Sequence, residues 1–182
     1  FIQGLALLAT GKPDYLPKLR EFAHGLARES LDPDHKPSGP TWGRTWDMSY
    51  RLLFLCEYYM VTRDKEVLPA IEKNALSLAR GQSMYGTFGH GFAALTKDGK
   101  FNGSVPPYGP VNMAGLPANL AIVLARKCGV KNKEVDEAIA RAEVQAPFSN
   151  RVVCMAVTSP SPSRGRPSSW SSAIDQLCFD ET

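Results

Sequence analysis

The chain has 182 residues, of which 43% are hydrophobic and 21% charged, a composition within the range of ordinary globular domains. Its formal net charge is only +3, and basic and acidic residues are interspersed, which excludes the clustered Lys and Arg of a nucleic-acid-binding surface. No apolar run reaches about 18 residues, so the sequence also excludes a membrane-spanning helix.

The chain opens on an apolar segment without an initiator Met. Residues 1–8 (FIQGLALL) have the character of the second half of a helix whose first half is missing. We therefore expect a fragment or a processed piece of a longer protein, with any targeting signal upstream of Phe1. On this interpretation the sequence indicates no cellular location.

An internal repeat dominates the sequence. Segments 5–28 and 56–80 align with a shift of 52 positions, which pairs Thr10 with Thr62 and places the same Leu-Pro dipeptide in both copies. A third copy begins at Lys133, shifted by 68 positions from the corresponding Lys65. Unequal shifts are those expected of repeats that carry loop insertions.

Each copy contains an apolar helix, a short polar turn and an amphipathic helix. Pro17 and Pro69 fall in the first turn of the second helix, where a missing N–H is tolerated. Asp14, Asp64 and Asn132 are predicted N-caps. The pattern predicts an all-α domain over residues 1–146 without strands, in three antiparallel hairpins with helices at about 1–10, 14–29, 46–62, 65–80, 112–128 and 133–146.

Stacked hairpins of this kind predict an arc of a partial α/α-toroid or solenoid. The first helix of each pair is the more apolar, so we expect it on an inner wall, with the second helices forming a half-solvated outer ring. Turns within hairpins are short, whereas the links 31–45 and 81–111 are long and rich in Gly, Pro and aromatic residues. Any functional site is therefore expected at the long-loop end.

The repeat stops at about residue 146. Residues 147–182 contain the run SPSPSRGRPSS and are interpreted as a disordered or weakly structured tail. A frameshift inside a fourth hairpin would produce the same abrupt change, and both interpretations stay open.

Four segments resemble an uncharacterised bacterial family of the α/α-toroid superfamily, a domain of unknown function. They are LATGKPDYLP, EYYMVTRDKEVLPAIE, ARGQSMYGTFGHGFAAL and LARKCGVKNKEVDEAIARA, which together span about residues 1–145. The resemblance implies the fold and a distant relation to terpenoid cyclases, prenyltransferase β-subunits and helical-barrel enzymes of polysaccharides. It implies no reaction, since a fold does not determine a function. Further hairpins of a longer parent chain are expected partners.

The first candidate site surrounds the predicted start of the second inner helix. Trp42, Arg44, Trp46 and Asp47 would suit a carbohydrate platform with a carboxylate acid or base. The alternative is structural, with Asp47 capping the helix and the tryptophans sealing the hairpin.

The second candidate is the glycine-rich loop 81–92. His90 lies between two glycines and would act as a general base, with Tyr85 as a ligand contact. The alternative is a loop that only packs its aromatic residues, with His90 hydrogen-bonded in place. Tyr108 and Asn112 in a third segment would line the same mouth, although Asn112 also suits an N-cap. His24, on an outer helix, and His35, in a Pro-rich loop, are expected to be bystanders.

The sequence predicts no cofactor and no metal site. It lacks phosphate-loop, dinucleotide and metal-protease motifs and any C-x-x-C spacing. Cys56 and Cys128 each lie in an apolar helical run, where a free Cys behaves as a small hydrophobe, so a disulfide scaffold is not expected.

Two functions remain open. In one, the long-loop end binds or processes a glycan or another small molecule through the aromatic, Asp, Arg and His residues. In the other, the concave face of a helical-repeat scaffold binds a protein or peptide. Convergence of the loops on one mouth favours the first, and dispersed loops over an apolar groove favour the second.

Overall fold

The computed structural model describes residues 1–35, 43–94, 105 and 109–145. Within these residues the chain forms six α-helices and no strand, which confirms the all-α prediction. The helices are α1 (Ile2–Ala9), α2 (Leu16–Leu31), α3 (Arg44–Thr62), α4 (Leu68–Gly81), α5 (Asn112–Lys127) and α6 (Lys133–Gln145). No described helix combines the length and apolar character that crossing a membrane requires. The predicted tail, 147–182, lies outside the described residues.

The helices pack as three pairs in two layers. α1 packs with α2, α3 with α4, and α5 with α6. The members of each pair run in opposite directions because only a short turn joins them. α3 also packs between α1 and α5, and α4 packs between α2 and α6, so the odd-numbered and even-numbered helices form separate layers.

The first two turns have the same local structure. The hydroxyls of Thr10 and Thr62 each donate to a carbonyl in the preceding helical turn, and each accepts a hydrogen bond from the backbone N–H two residues later. A short 3₁₀ helix follows in both, and Pro17 and Pro69 then occupy the first turn of α2 and α4. The two sequence copies therefore form the same type of turn between their helices.

Two of the three predicted N-caps are observed. Asp64 Oδ1 accepts from the backbone N–H of Glu66 at 3.1 Å, and Asn132 Oδ1 accepts from that of Glu134 at 2.9 Å. The prediction for Asp14 is wrong, since Asp14 lies inside the 3₁₀ helix Pro13–Tyr15 and Lys12 precedes that helix. Pro13 fixes the start of the turn, and the cap position, two residues earlier than the capping pattern indicated.

A polar network joins the first two hairpins at the turn end. Asp64 Oδ2 lies 2.8 Å from His24 Nε2 on α2 and accepts a hydrogen bond from the Tyr58 hydroxyl at 2.9 Å. The pKa of Asp64 is held below its ordinary value, first by the hydrogen bond from His24 and then by those from Glu66 N–H and Tyr58. Burial, followed by the hydrogen bond to Asp64, raises the pKa of Tyr58 to about 12. The network therefore favours an ionised Asp64 beside a neutral Tyr58.

At position 86, in the loop after α4, only glycine fits both the backbone conformation and the surrounding space. Its φ is +75°, a left-handed conformation that disfavours side chains. A Cβ at this position would also collide with the backbone carbonyl of Arg141 on α6. The loop can therefore approach α6 only through a glycine.

Gly86→Ala should destabilise the protein more than Gly11→Ala. Gly11 has a similar φ of +65° but open space around it, so its substitution adds backbone strain of about 1 kcal/mol alone. Gly86→Ala adds steric overlap with α6, for which we expect a further 1–3 kcal/mol, roughly. Urea denaturation of the two variants measures the difference, and equal losses would contradict the close approach to α6.

Asp64→Asn should lower the free energy of unfolding by about 1–3 kcal/mol at neutral pH, since it weakens hydrogen bonds to His24 and Tyr58. Because the folded-state pKa of Asp64 is depressed, its contribution is present above the ordinary carboxyl pKa and is lost as pH falls through the folded-state value. The gap between wild type and variant should therefore narrow on acidification. Asp136→Asn is the control, because the Asp136–Arg126 pair is about half exposed and should contribute less than about 1 kcal/mol.

Candidate functional site at the long-loop end

The loop that follows α4 closes on itself. The Ser83 N–H donates to the Thr87 carbonyl at 2.9 Å, and the Ala93 N–H donates to the Gly81 carbonyl at 2.8 Å. At Gly81 a Cβ would overlap the ring of Phe92, so the glycine allows the returning chain to cross α4. Packing contacts within the protein therefore account for some of the glycines in this loop.

Gln82 fixes the base of the loop to the third hairpin. It is fully buried, and its side-chain amide donates to Asn119 Oδ1 at 2.9 Å and to the Ala138 carbonyl at 3.0 Å. Its carbonyl oxygen accepts from Arg141 Nε at 2.8 Å. Asn119 in turn donates to the Gly86 carbonyl. The loop is therefore connected to both α5 and α6.

His90 connects the far side of the same loop to the start of α3. Its Nδ1 accepts a hydrogen bond from Trp46 Nε1 at 2.7 Å, and its backbone carbonyl accepts from the Thr45 N–H at 3.1 Å. The Trp46 ring also stacks against Tyr50 with centroids 6.4 Å apart. Trp46, Tyr50 and His90 are all half-buried, so the three rings form a partly exposed aromatic cluster.

The hydrogen bond with Trp46 determines what His90 can do chemically. The indole N–H is a donor only, so His90 Nδ1 is the acceptor and the proton of the neutral imidazole is on Nε2. The lone pair that a general base requires is therefore engaged with Trp46. This geometry suits hydrogen-bond donation better than proton abstraction.

Arg44 and Asp47 lie on a second feature, a cavity of about 170 Å³ between the first two hairpins. We call it the mouth cavity, and its walls come from the end of α2, the start of α3 and the middle of α4. Six charged residues line it: Glu29, Asp32, Asp47, Arg44, Arg51 and Lys73. His35, Ser30, Asn74 and Ser77 also line it, so His35 has a place at the candidate site that the sequence did not predict.

Arg51 organises the carboxylates of this cavity. It is only 8% exposed, and its guanidinium lies 3.0 Å from Glu29 Oε2 and 3.6 Å from Asp47 Oδ2. Asp47 is not the N-cap of α3, because the helix begins three residues earlier and Gly43 is the N-cap residue. Arg44 places its guanidinium 5.3 Å from the centre of the Phe92 ring, which joins the cavity wall to the loop.

The remaining predicted residues have different positions. Tyr85 is 54% exposed in the loop, and Asn112 is exposed at the first position of α5, where Val111 precedes the helix. Asn112 makes no side-chain cap, so its capping role was also mispredicted. Neither residue lines the mouth cavity. Trp42 and Tyr108 lie outside the described residues.

Arg51 was missed as a site residue, although its spacing provided a signal. Asp47 and Arg51 are four residues apart, which places them on one face of a helix. A cation within the otherwise apolar inner helix also indicates a buried ion pair. The partner Glu29 had no such signal, because it lies on a separate helix.

The opposite end of the structure holds a second polar cluster, which the sequence also did not predict. Ligand-type atoms of His24, Asp64 and Glu66 lie within 4.8 Å of one another, beside an open cleft of about 650 Å³ that Tyr58 and Arg20 help to line. The shared oxygen of Asp64 already faces His24 and accepts from Tyr58. We therefore assign this cluster to the connection between hairpins, and His24 is part of it.

A comparison with protein families matches residues 1–149 to the family described as a domain of unknown function, DUF6288. Comparisons with curated proteins and with solved structures give no match. The matched segment contains all six described helices, the mouth cavity and the loop with His90. The chain therefore belongs to the DUF6288 family.

Proposed function

We propose that the three hairpins are an arc of an α/α-toroid whose long-loop end binds a neutral carbohydrate or a similar polyhydroxylated molecule in the mouth cavity. The observation that carries this proposal is the position of Asp47 and Arg44 on one small polar cavity lined by α2, α3 and α4. The two-layer packing of α1, α3 and α5 against α2, α4 and α6 supports the toroid arrangement.

The charge of the cavity wall indicates the class of ligand. Its three carboxylates, from Glu29, Asp32 and Asp47, balance the three cations Arg44, Arg51 and Lys73. A wall with no net charge has no strong preference for an anion or a cation. Sugar hydroxyls both donate and accept, so they match a wall on which donors and acceptors alternate.

The aromatic cluster supports the same class of ligand. Trp46 directly precedes Asp47 on α3, so its backbone lies beside the cavity wall, although its side chain does not line the cavity. The partly exposed faces of Trp46 and Tyr50 provide apolar surface of the kind that packs on the C–H face of a sugar. An oligosaccharide that fills the cavity would extend across these rings.

The site geometry favours binding over acid-base catalysis. The acceptor nitrogen of His90 is engaged by Trp46, and Asp47 faces the guanidinium of Arg51. Two groups that exchange protons with a substrate need lone pairs or protons directed at it. We therefore assign Asp47 the role of a hydrogen-bond acceptor for the ligand and His90 a positioning role for Trp46.

Asp47→Asn should weaken carbohydrate binding by about tenfold, equivalent to about 1.4 kcal/mol, because a charged acceptor becomes a neutral amide. Folding should be preserved, since Arg51 keeps Glu29 as its partner. The measurement is calorimetric titration with neutral gluco-, galacto-, manno- and xylo-oligosaccharides, with glucuronate and glucosamine as charged comparators. Asp136→Asn, on the exposed face of α6, is the matched control and should bind as wild type.

The proposal is wrong if wild type shows no saturable binding to any neutral sugar, or if Asp47→Asn and Asp136→Asn bind equally well. Preferred binding of glucuronate or glucosamine would contradict the argument from balanced charge.

The Trp46–His90 hydrogen bond should have a measurable coupling energy. Trp46→Phe removes the donor while keeping an aromatic ring, and His90→Ala removes the acceptor. We expect each variant to lose about 1–2 kcal/mol of stability and the double mutant to lose less than the sum, with a coupling of about 1 kcal/mol. Denaturant unfolding of the four proteins gives the cycle, and strictly additive losses would show that the two rings are energetically independent.

A further inference from the structure

Two cysteines from different hairpins meet between the inner helices. Cys56 lies on α3 and Cys128 at the end of α5, and both are free thiols. Cys128 Sγ lies 3.7 Å from the backbone carbonyl oxygen of Cys56, and the two thiols are close enough for each to shift the pKa of the other. α3 and α5 pack closely along their length, so this contact belongs to the core.

The two thiols have different surroundings. Cys56 is fully buried in the middle of a buried run, whereas Cys128 is 6% exposed at the end of α5, next to Gly129, where the chain turns with a φ of +103°. Burial raises the pKa of Cys56 well above the ordinary value. The interaction with Cys56 lowers the pKa of Cys128 and outweighs the opposing effects of burial and of the Glu57 charge, while the charge of Arg63 also lowers it. Cys128 is therefore the thiol with more thiolate character and easier access from solvent.

We propose that Cys56 and Cys128 form an oxidation site, at which a small hydroperoxide converts the two thiols into a disulfide between α3 and α5. The proposal is independent of the carbohydrate site. It rests on the close approach of Cys128 Sγ to Cys56, on the placement of the two cysteines on separate helices and on the outer position of Cys128.

The chemistry divides into two displacements. In the first, the Cys128 thiolate attacks a peroxide oxygen, the O–O bond breaks, and the departing hydroxide takes a proton to form water, which leaves a sulfenic acid. In the second, the Cys56 sulfur gives up its proton and attacks the Cys128 sulfur, so the S–O bond breaks and a second water leaves. The two thiols are oxidised by two electrons, and one hydrogen peroxide is reduced to two waters.

The test uses the full chain with Cys154 and Cys178 replaced by Ser, so that only the two buried thiols remain. After treatment with hydrogen peroxide, intact mass should fall by two hydrogen atoms, and non-reducing peptide mapping should recover a Cys56–Cys128 crosslink. The melting temperature of the oxidised protein should rise, because the crosslink joins distant parts of the chain. Dithiothreitol should reverse both changes.

Single substitutions test the assigned order of attack. In Cys56→Ser, Cys128 should stop at the sulfenic acid, which dimedone traps, because the resolving thiol is absent. In Cys128→Ser, the buried Cys56 should show at least tenfold less dimedone adduct under the same conditions. Equal trapping in both variants would overturn the roles assigned to the two thiols.

The disulfide itself is tested without relying on the single variants. Wild-type protein is oxidised in the folded state and, in parallel, after denaturation in urea. Formation of the Cys56–Cys128 crosslink in the folded protein supports the proposal. Sulfinic acid at Cys128 with no crosslink, or a crosslink that appears only after denaturation, would overturn it.

Discussion

The enclosure of α3 is the constraint on which the rest of the structure depends. Every residue from 51 to 58 is buried, a run of more than two helical turns that leaves no face of this segment open to solvent. Such a segment is stable only if neighbours cover all its sides, and α1, α2, α4 and α5 all pack against it. The two-layer arrangement follows from this requirement, since both layers have to reach the same helix.

The polar groups at the two ends of α3 follow from the same enclosure. Arg51 is the first residue of the buried segment, at its long-loop end. Its buried charge requires carboxylate partners, which are Glu29 and Asp47. Tyr58 is the last residue of the buried segment at the turn end, and its hydroxyl donates a hydrogen bond to Asp64. Glu29 lies on α2, and Asp64 also faces His24 of α2, so both groups of partners connect α3 or its turn to the first hairpin. At the long-loop end, this arrangement forms the wall of the mouth cavity.

Local signals in the sequence were sufficient for the helices and turns. The 3.6-residue periodicity and the Thr and Pro positions predicted the helix boundaries to within a few residues. Capping was predicted less well at Asp14, Asp47 and Asn112, because each of these residues lies one or more positions inside its helix. A short polar side chain near a helix start is compatible with several registers, and backbone packing selects among them.

The residues of the predicted site lie in more than one place for a geometric reason. Successive helical residues differ in direction by about 100°, so adjacent side chains reach different neighbours. Trp46 meets His90, whereas Asp47 faces Arg51 and the first hairpin. Sequence patterns placed Trp46 and Asp47 at the start of α3 and His90 in the loop after α4. These patterns do not indicate which neighbouring element each side chain contacts, because loop 82–94 and α2 are distant in sequence from α3. For the same reason, no sequence pattern indicated that Glu29 and Lys73 line the cavity.

The attachment of the loop after α4 has a consequence for the thermodynamics of recognition. The loop forms hydrogen bonds with the start of α3 through the His90 carbonyl, with α5 through the Gly86 carbonyl and with α6 through the Gln82 side chain. A segment held at three separate places has already lost its conformational entropy during folding. A ligand that contacts the aromatic cluster would therefore encounter a preorganised surface and would not have to order a mobile lid. Binding of the proposed ligand would therefore not require residues 82–94 to close in a slow step.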